Sequence, residues 1–480
     1  MLFNSLEFAI FFPIVFALYW LLPHKFRWIL LFISSYWFYM CWEPKYVILI
    51  LLTTLTSFFA ALGIDRQTDA RKRKSIMITS SVICLSVLFF FKYYNFVSGS
   101  VTAVLRLFVP QVKSYALDLL LPVGISFYTF QTMSYVIDVY KGKVTAERHF
   151  GIYATFISFF PQLVAGPIER TDNLLPQIKS KKSFDYTRST YGLKLMTWGF
   201  FKKIVVADTI SKFISPVFES PQSFHGFALV LATGLFAFQI YCDFSGYSDI
   251  AIGVSRLLGI DLMTNFKSPY FSQSIREFWS RWHISLSTWF RDYLYIPLGG
   301  NRVRPLRNAF NLLVTFLISG LWHGANWTFV IWGGLHGVAQ ILENRLHLNK
   351  PRRIGSLSWS FRVVGVFCFC SFAWIFFAAQ SMTDAVYIIR HMFDGITGGF
   401  VSYLYSGFVS IGLDRISLAY LLISVLILLI FDRLSLQKDV IESLSKKHTV
   451  SRWIIYVLFM LWTILNLPAV VATEFIYFQF

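Results

Sequence analysis

Long apolar stretches separated by short polar ones run along almost the whole chain. A run of about 20 apolar residues is long enough to cross the hydrocarbon layer of a bilayer as a helix. The stretch 309–342 is long enough for two short spans. The stretch nearest the start of the chain, 8–22, is predicted to be a retained span because no basic segment precedes it. Further spans are predicted near residues 8–22, 28–42, 46–64, 76–97, 115–137, 150–168, 190–212, 224–242, 361–380, 417–431 and 453–472. The pattern therefore predicts an all-α, polytopic membrane protein.

The composition supports this class. Hydrophobic residues make up 56% of the 480 positions and charged residues only 14%, whereas a soluble chain carries about a quarter charged residues. The five cysteines lie in or beside apolar stretches, in no zinc-like spacing, and are predicted to be packing residues, so no metal site is expected. The net charge of +18 indicates basic cytoplasmic loops and contact with anionic lipid. No basic soluble domain that would bind nucleic acid is visible.

Basic residues predict the orientation. Lys and Arg cluster in the loops 65–75, 179–188, 345–353 and 433–452, which the positive-inside rule places in the cytoplasm. The segment 213–226 has no Lys or Arg, and 381–416 has two, so both are predicted to face outside, as is the C-terminal end 474–480. We predict a single membrane-embedded domain, 1–480, with a polar catalytic core at about 240–340.

Residues 243–307 are too polar for a simple span and too aromatic for a solvated loop. Within them, large apolar residues recur at helical spacing and predict one helix with an apolar face: Phe278, Trp282, Leu286, Trp289 and Tyr293. Such a helix suits an interfacial or protein-buried position, with polar groups turned toward a cavity. A peripheral amphipathic helix with structural Arg–Asp pairs fits the same pattern. Asp243 and Asp249 could likewise be helix caps or salt-bridge partners.

The next segment brings a histidine into the apolar region. Residues 309–342 are basic on both flanks, so the segment must enter the membrane and return. A helix over 309–322 rises about 21 Å, which would place His323 deep in a hydrocarbon layer of roughly 30 Å. An ionisable residue at that depth is a functional-site hypothesis. The alternatives are a buried, hydrogen-bonded histidine at 323 and a packing role for His336. Haem or metal ligation by His283, His323 and His336 finds no support, because spacings of 40 and 13 match no ligand motif.

The chemistry available to such a histidine is proton transfer. A neutral imidazole can take the proton of a hydroxyl while its oxygen attacks an acyl carbonyl. A second histidine could orient the first, polarise a thioester carbonyl or protonate a leaving thiolate. Gly324 would let a thin substrate chain approach the backbone beside His323.

An ordered set of motifs covers most of the chain, and the set is specific although each short motif is weak alone. The motifs are GPIER at 166–170, YCDFSGYSDIAIG at 241–253, FWSRWHISLS at 278–287, WFRDYLYIPLGGNR at 289–302, LWHG at 321–324 and the ending FIYFQF at 475–480. Together they resemble the membrane-bound O-acyltransferase family, and in particular its branch that modifies bacterial polysaccharides such as alginate.

This resemblance implies a fold and a site. The fold would be a helical ring with a thinned centre and re-entrant segments around a catalytic tunnel, which joins a cytoplasmic donor to an outside acceptor. His323 would be the catalytic histidine and His283 the second important one. We expect the tunnel to be lined by Trp322, Asn326, Tyr247 and Trp289.

The donor and the partners follow from the same resemblance. No bound cofactor is expected; acetyl-CoA or another acyl thioester would be the donor substrate. Arg302 and Arg304 are candidates to hold its phosphates, because arginine pairs with phosphate through bidentate hydrogen bonds. The acceptor would be an exopolysaccharide, with an extracytoplasmic acetyltransferase or esterase-like protein as partner. The location would be the bacterial cytoplasmic (inner) membrane, crossed many times.

The competing interpretation is a polysaccharide exporter or secondary transporter. Transporters are often built from two related halves with broken helices in corresponding positions. This chain has one asymmetric polar block and no visible internal repeat, so an acyltransferase is favoured.

Overall fold

The computed structural model describes residues 1–163, 166–467 and 475–476. All regular secondary structure in these ranges is helical. Among them, five helical segments are long and apolar enough to cross a membrane: Pro44–Arg66, Ala70–Leu105, Phe227–Leu257, Leu357–Ala378 and Arg415–Ser435. The predicted all-α, polytopic membrane class is confirmed, while the ring and tunnel stay predictions.

The described chain forms two compact units, which are Met1–Leu193 with Ala251–Met263, and Lys194–Ile250 with Thr264–Phe480. Nine helices belong wholly to the first unit. They are α1 (Leu6–Leu21), α2 (His24–Met40), α3 (Val47–Arg66), α4 (Ala70–Leu88), α5 (Tyr94–Leu105), α6 (Ile125–Tyr140), α7 (Phe150–Ser158), α8 (Phe160–Leu163) and α9 (Thr171–Lys179).

The remaining helices lie wholly in the second unit, except that the first of them is divided between the two units after Leu193 and the third continues into the first unit from Ala251. They are α10 (Tyr186–Phe200), α11 (Asp208–Glu219), α12 (Phe227–Leu257), α13 (Ile275–Arg281), α14 (Ile284–Phe290), α15 (Pro305–His323), α16 (Trp327–Arg345), α17 (Leu357–Ala378), α18 (Met382–His391), α19 (Phe400–Ser410), α20 (Arg415–Ser435), α21 (Val440–Ser445) and α22 (Thr449–Leu465). Short π-helical segments follow α4, α10 and α14 at Phe89–Tyr93, Phe201–Ala207 and Arg291–Tyr295. Single 3₁₀ turns lie at Pro44–Tyr46, Pro221–Ser223, Pro269–Phe271 and Ile396–Gly398.

Two predicted spans of the first unit are shorter than expected. The span predicted at 115–137 is helical only from Ile125, because Pro122 disfavours a helix in the residue before it and Gly124 has a φ of +73°. The span predicted at 150–168 is broken at Phe159 into α7 and α8, and its residues 164–165 lie outside the described residues. Near the end of the chain, the predictions for residues 468–474 and 477–480 also lie outside them.

The polar block begins differently from the prediction. We expected a span to end near residue 242, but α12 continues as a helix through the polar residues that follow, as far as Leu257. The carboxylates of Asp243 and Asp249 pair with buried lysines, so the polar stretch can remain helical inside the protein.

The segment 309–342 folds back on itself as predicted, because α15 and α16 form a helical hairpin with its tip at residues 324–326. Its entry into the membrane stays a prediction. Glycines allow the two backbones to touch. A methyl group on Gly320 would lie 2.2 Å from the carbonyl oxygen of Phe329, and one on Gly333 would lie 2.2 Å from that of Phe316. The close approach fixes how α15 presents its last residue, His323.

Candidate active site

His323 is the last residue of α15 and lies at the tip of the hairpin. Its side chain is buried, with 2% of the residue exposed. The imidazole meets Trp332 of α16 and Phe377 of α17 edge to face, with ring centroids 5.0 and 5.5 Å apart. Three helices therefore enclose His323 in an aromatic environment.

His283 lies at a break in the chain. The single amphipathic helix predicted around residues 278–293 is wrong, because α13 ends at Arg281 and α14 begins at Ile284. Between them His283 adopts a left-handed conformation, with φ +43° and ψ +55°. Such a conformation is uncommon for residues other than glycine and occurs preferentially at functional sites. The break buries the side chain of His283, which a continuous helix would have placed away from its apolar face.

Asn265 holds this break in place. The backbone N–H of Ile284 donates to the carbonyl of Asn265, and that of Lys267 donates to the carbonyl of Arg281, both at 2.9 Å. The side-chain oxygen of Asn265 lies 3.1 Å from Nδ1 of His283. Asn265 was not predicted as a site residue, since it lies 18 residues from His283 in an irregular segment and carries no periodic signal.

The structure brings the two predicted histidines together. The ring centroids of His283 and His323 are 6.3 Å apart, at an angle of 61°. His283 is fully buried and meets Phe244 edge to face at 4.7 Å. His283 lies outside the five candidate spans. Burial lowers the pKa of its imidazole to about 3, so the ring is neutral at physiological pH. Two buried imidazoles thus face a common aromatic enclosure.

The four predicted tunnel residues fall into two groups. Trp322 belongs to the enclosure, because its ring lies 4.9 Å from His323 and 6.0 Å from His283. Tyr247, Trp289 and Asn326 have other described contacts. Tyr247 packs on Phe475 at 4.7 Å, and Trp289 packs on Tyr293 at 5.1 Å.

Asn326 has a structural task of its own. Its side-chain oxygen accepts from the N–H of Thr328 at the start of α16, and its amide group donates to the carbonyl of Gln380 at 2.9 Å. The tunnel roles of these residues stay predictions.

Arg302 and Arg304 lie far along the hairpin from His323. Both are exposed, and Arg304 is the residue before the first turn of α15. A 19-residue helix is about 28 Å long, which separates these arginines from His323. A donor that contacts the arginines at one end and His323 at the other must therefore extend along the length of α15. Donor binding by the arginines stays a prediction.

His336 has the packing role that the sequence left open. It is fully buried, its Nδ1 accepts a hydrogen bond from Nε1 of Trp279 at 3.2 Å, and its ring meets Phe369 at 5.4 Å. Within the described ranges, no group of three or more His, Cys, Asp or Glu residues could hold a metal ion.

An ionic cluster lies in the same unit, and its lysines were not predicted from the sequence. Lys203 pairs with Asp243 at 2.7 Å and with Asp208 at 3.0 Å, and Lys202 pairs with Asp249 at 2.7 Å. Asp243 also accepts the backbone N–H of Ile476 at 2.7 Å. The salt-bridge alternative for Asp243 and Asp249 is therefore the correct one. The sequence does contain a signal for this cluster, because Lys202 and Lys203 are adjacent within an apolar run.

Gly324 is required for packing at the hairpin tip. A methyl group on its Cα would lie 2.1 Å from Cε2 of Phe329. The ring of Phe329 fills this face of Gly324, and the approach of a substrate chain to the backbone beside His323 stays a prediction.

Fold and site together define a polytopic membrane protein with a buried histidine pair in an aromatic enclosure. The family model of the membrane-bound O-acyltransferases matches residues 147–382, and a probable alginate O-acetylase from Pseudomonas putida is 36% identical over the whole of both chains. The chain therefore belongs to the membrane-bound O-acyltransferase family and is an acyltransferase.

Two further relatives support this assignment. A probable alginate O-acetylase from Azotobacter vinelandii is 39% identical over 82% of this chain and 78% of its own. A peptidoglycan O-acetyltransferase from Helicobacter pylori is 35% identical over 75% of this chain and 72% of its own. The predicted family is confirmed, and the alternative of an exporter or transporter is not favoured.

Proposed function

We propose that this protein moves an acetyl group from a cytoplasmic thioester across the membrane for O-acetylation of an extracytoplasmic polysaccharide. His323 is the general base of the transfer and His283 its partner. The proposal deepens the family assignment in three respects: the acyl group and its donor, the direction of transfer, and the residues that carry the chemistry.

One observation carries the assignment of the residues. The imidazoles of His323 and His283 are buried 6.3 Å apart although 40 positions separate them in the chain. Burying a polar side chain costs free energy unless it is hydrogen-bonded, so two buried imidazoles this close together favour a functional pair over two separate packing residues. The pair also lies in two of the motifs that carry the family resemblance, those at 278–287 and 321–324.

The chemistry is a single acyl transfer. His323 takes the proton of the attacking hydroxyl as its oxygen bonds to the thioester carbonyl carbon. The carbon–sulfur bond then breaks, and the thiolate leaves and receives a proton. The atoms balance as an ester and a thiol, with the histidine returned to its neutral form. The aromatic enclosure excludes water that would hydrolyse the thioester.

The wider setting supports a cytoplasmic donor. Exposed arginines at the start of α15 could hold the phosphates of acetyl-CoA, with the acyl end reaching along the hairpin toward His323. The relatives are named as O-acetylating enzymes of alginate and of peptidoglycan, which supports an exopolysaccharide as the acceptor. We place the protein in the bacterial cytoplasmic (inner) membrane, with a separate extracytoplasmic acetyltransferase or esterase-like protein that completes delivery to the polymer.

Replacement of His323 tests the proposal. His323→Ala and His323→Gln should both abolish polymer O-acetylation in cells that carry no other copy of the gene, because neither side chain accepts a proton at neutral pH. Polymer-bound acetate released by mild base is the measurement, normalised to the amount of protein in the membrane.

His336 provides the matched control. It is an equally buried histidine among aromatic rings, and asparagine in its place would keep an acceptor for Nε1 of Trp279. His336→Asn should therefore retain acetylation. Normal acetate in a well-expressed His323→Ala strain, or equal loss in both histidine variants, would contradict the catalytic assignment.

A further inference from the structure

Four polar groups surround the side chain of Asn265, and all are buried. Its Oδ1 lies 3.1 Å from Nδ1 of His283, 3.3 Å from the backbone N of Ser285 and 3.0 Å from Oγ of Ser285. Its Nδ2 lies 3.2 Å from Oγ of Ser248. Two backbone hydrogen bonds hold the flanking segments together, so the side chain has little freedom to move away.

The orientation of this amide follows from its partners. Oxygen and nitrogen of an asparagine side chain are assigned from the hydrogen bonds they make. A backbone N–H can only donate, so the Asn265 atom that faces the N–H of Ser285 must be the oxygen. The hydroxyl of Ser248 can donate or accept and is compatible with the nitrogen on the other side.

The amide orientation determines the state of the histidine. An amide oxygen is an acceptor only, so Nδ1 of His283 must carry the proton that fills the 3.1 Å contact. A neutral imidazole has one N–H, and Nε2 therefore carries the lone pair. In this state His283 accepts a proton or a hydrogen bond at Nε2, and it cannot polarise a thioester carbonyl by donation from that nitrogen.

We infer that Asn265 is a positioning residue that holds His283 in the Nδ1–H tautomer, so that His283 works through Nε2 as an acceptor during acyl transfer. The inference rests on the proposed function of the histidine pair. It selects one of the three tasks that a second histidine could perform. His283 orients its neighbour by accepting at Nε2, rather than polarising the carbonyl or protonating the thiolate.

The test measures acyl transfer in membranes that contain the full-length protein, with acetyl-CoA as the donor probe and release of the CoA thiol as the readout. The rate that is lost in His323→Ala membranes defines the enzymatic signal. Asn265→Ala should lower kcat by roughly 10- to 100-fold with little change in the KM for acetyl-CoA, which is less than the about 10²- to 10⁴-fold contribution of an acid–base group itself.

Asn265→Asp separates positioning from structure. A carboxylate accepts from Nδ1–H and from both groups of Ser285, so it keeps the tautomer and should retain more activity than Asn265→Ala. The added negative charge raises the pKa of His283, and a base must be neutral to act. The acid limb of the pH–rate profile should therefore move to higher pH in Asn265→Asp.

Two further variants complete the comparison. Ser248→Ala removes the partner of Nδ2 but leaves Oδ1 and His283 untouched, and it should retain the wild-type pH profile. The double variant Asn265→Ala/His283→Ala should be no slower than His283→Ala alone, because a group that acts through His283 has nothing left to position.

The outcomes distinguish this inference from the proposed function. Thiol release in His323→Ala membranes equal to that of wild type would overturn the proposed function, and the inference with it. A dependence on His323, combined with equal losses in Asn265→Ala and Asn265→Asp and an unmoved acid limb, would overturn the tautomer assignment alone. A wild-type kcat in Asn265→Ala would also overturn the tautomer assignment while leaving the proposed function intact.

Discussion

The left-handed backbone of His283 is the local feature on which the histidine pair depends. Periodicity alone favoured an unbroken helix through this residue, because its neighbours recur at helical spacing. The conformation costs on the order of 1–2 kcal/mol for a residue with a side chain. Hydrogen bonds from Ile284 and Lys267 to the facing segments, together with the Asn265 contact, hold it. Tertiary contacts outweigh the local preference here.

The arginines at the start of α15 give a prediction for single side chains. Arg302→Gln/Arg304→Gln should raise the KM for acetyl-CoA by roughly 3- to 10-fold with kcat little changed, because exposed ion pairs contribute modest, uniform binding. Arg302→Lys/Arg304→Lys should have a partial effect, since lysine keeps the charge but loses the bidentate hydrogen bonds. Initial rates of thiol release over a range of acetyl-CoA concentrations are the measurement.

A second arginine pair serves as the control. Arg352 and Arg353 are also exposed and lie in another loop predicted to be cytoplasmic. Their neutralisation removes the same charge and should leave KM near the wild-type value. An equal rise in KM for both pairs would show a general attraction of the basic face for the anionic donor, and an unchanged KM for both would leave these arginines as topology signals.

At the scale of helices, the α15–α16 hairpin contains glycines that lie at different distances from the facing helix. Gly333→Ala should destabilise the hairpin by about 1–3 kcal/mol, because its new methyl group would meet backbone atoms that cannot move aside. Displacement of α15 would also shift His323, so activity should fall with stability. The midpoint of thermal unfolding in detergent and the rate of acyl transfer are the measurements.

The next residue provides the comparison. A methyl group on Gly334 would meet only Cδ2 of Leu317, at an ordinary contact distance of 3.5 Å. Gly334→Ala should leave the unfolding midpoint unchanged or slightly raised, since alanine favours helix over glycine. Equal destabilisation by both substitutions would contradict the close packing of the two backbones at Gly320 and Gly333.

For the whole molecule, the charge pattern predicts which side of the membrane each loop faces. Thr68 lies exposed between α3 and α4 in a basic loop, and Ser223 lies exposed in a 3₁₀ turn of a segment without Lys or Arg. In a variant that lacks the five native cysteines, Ser223→Cys should react with an impermeant thiol reagent in intact cells. Thr68→Cys should react only after the cells are opened.

Activity of the cysteine-free variant is the control, because three of the replaced cysteines are buried. Labelling of position 68 in intact cells would reverse the predicted orientation, and with it the cytoplasmic side proposed for the donor.

The sequence by itself determined the class of the protein, because membrane insertion depends on apolar length and loop charge, which are properties of short segments. It also predicted the hairpin at 309–342 and, through its motifs, the family and the two histidines. It misplaced features that depend on distant partners. The helix continues through Asp243 and Asp249 because Lys203 and Lys202 pair with them, and that pairing cannot be read from either segment alone.

Only the tertiary structure decided which polar groups meet. The contact between His283 and Asn265 joins positions 18 residues apart, and the histidine pair joins positions 40 apart on separate elements. Neither separation follows a helical repeat, so no periodicity reports them. The tautomer of a buried histidine is set by its hydrogen-bond partner, and such a partner exists only after distant segments have packed. The residues of this site were therefore available in the sequence, while their protonation state and mutual geometry came from packing.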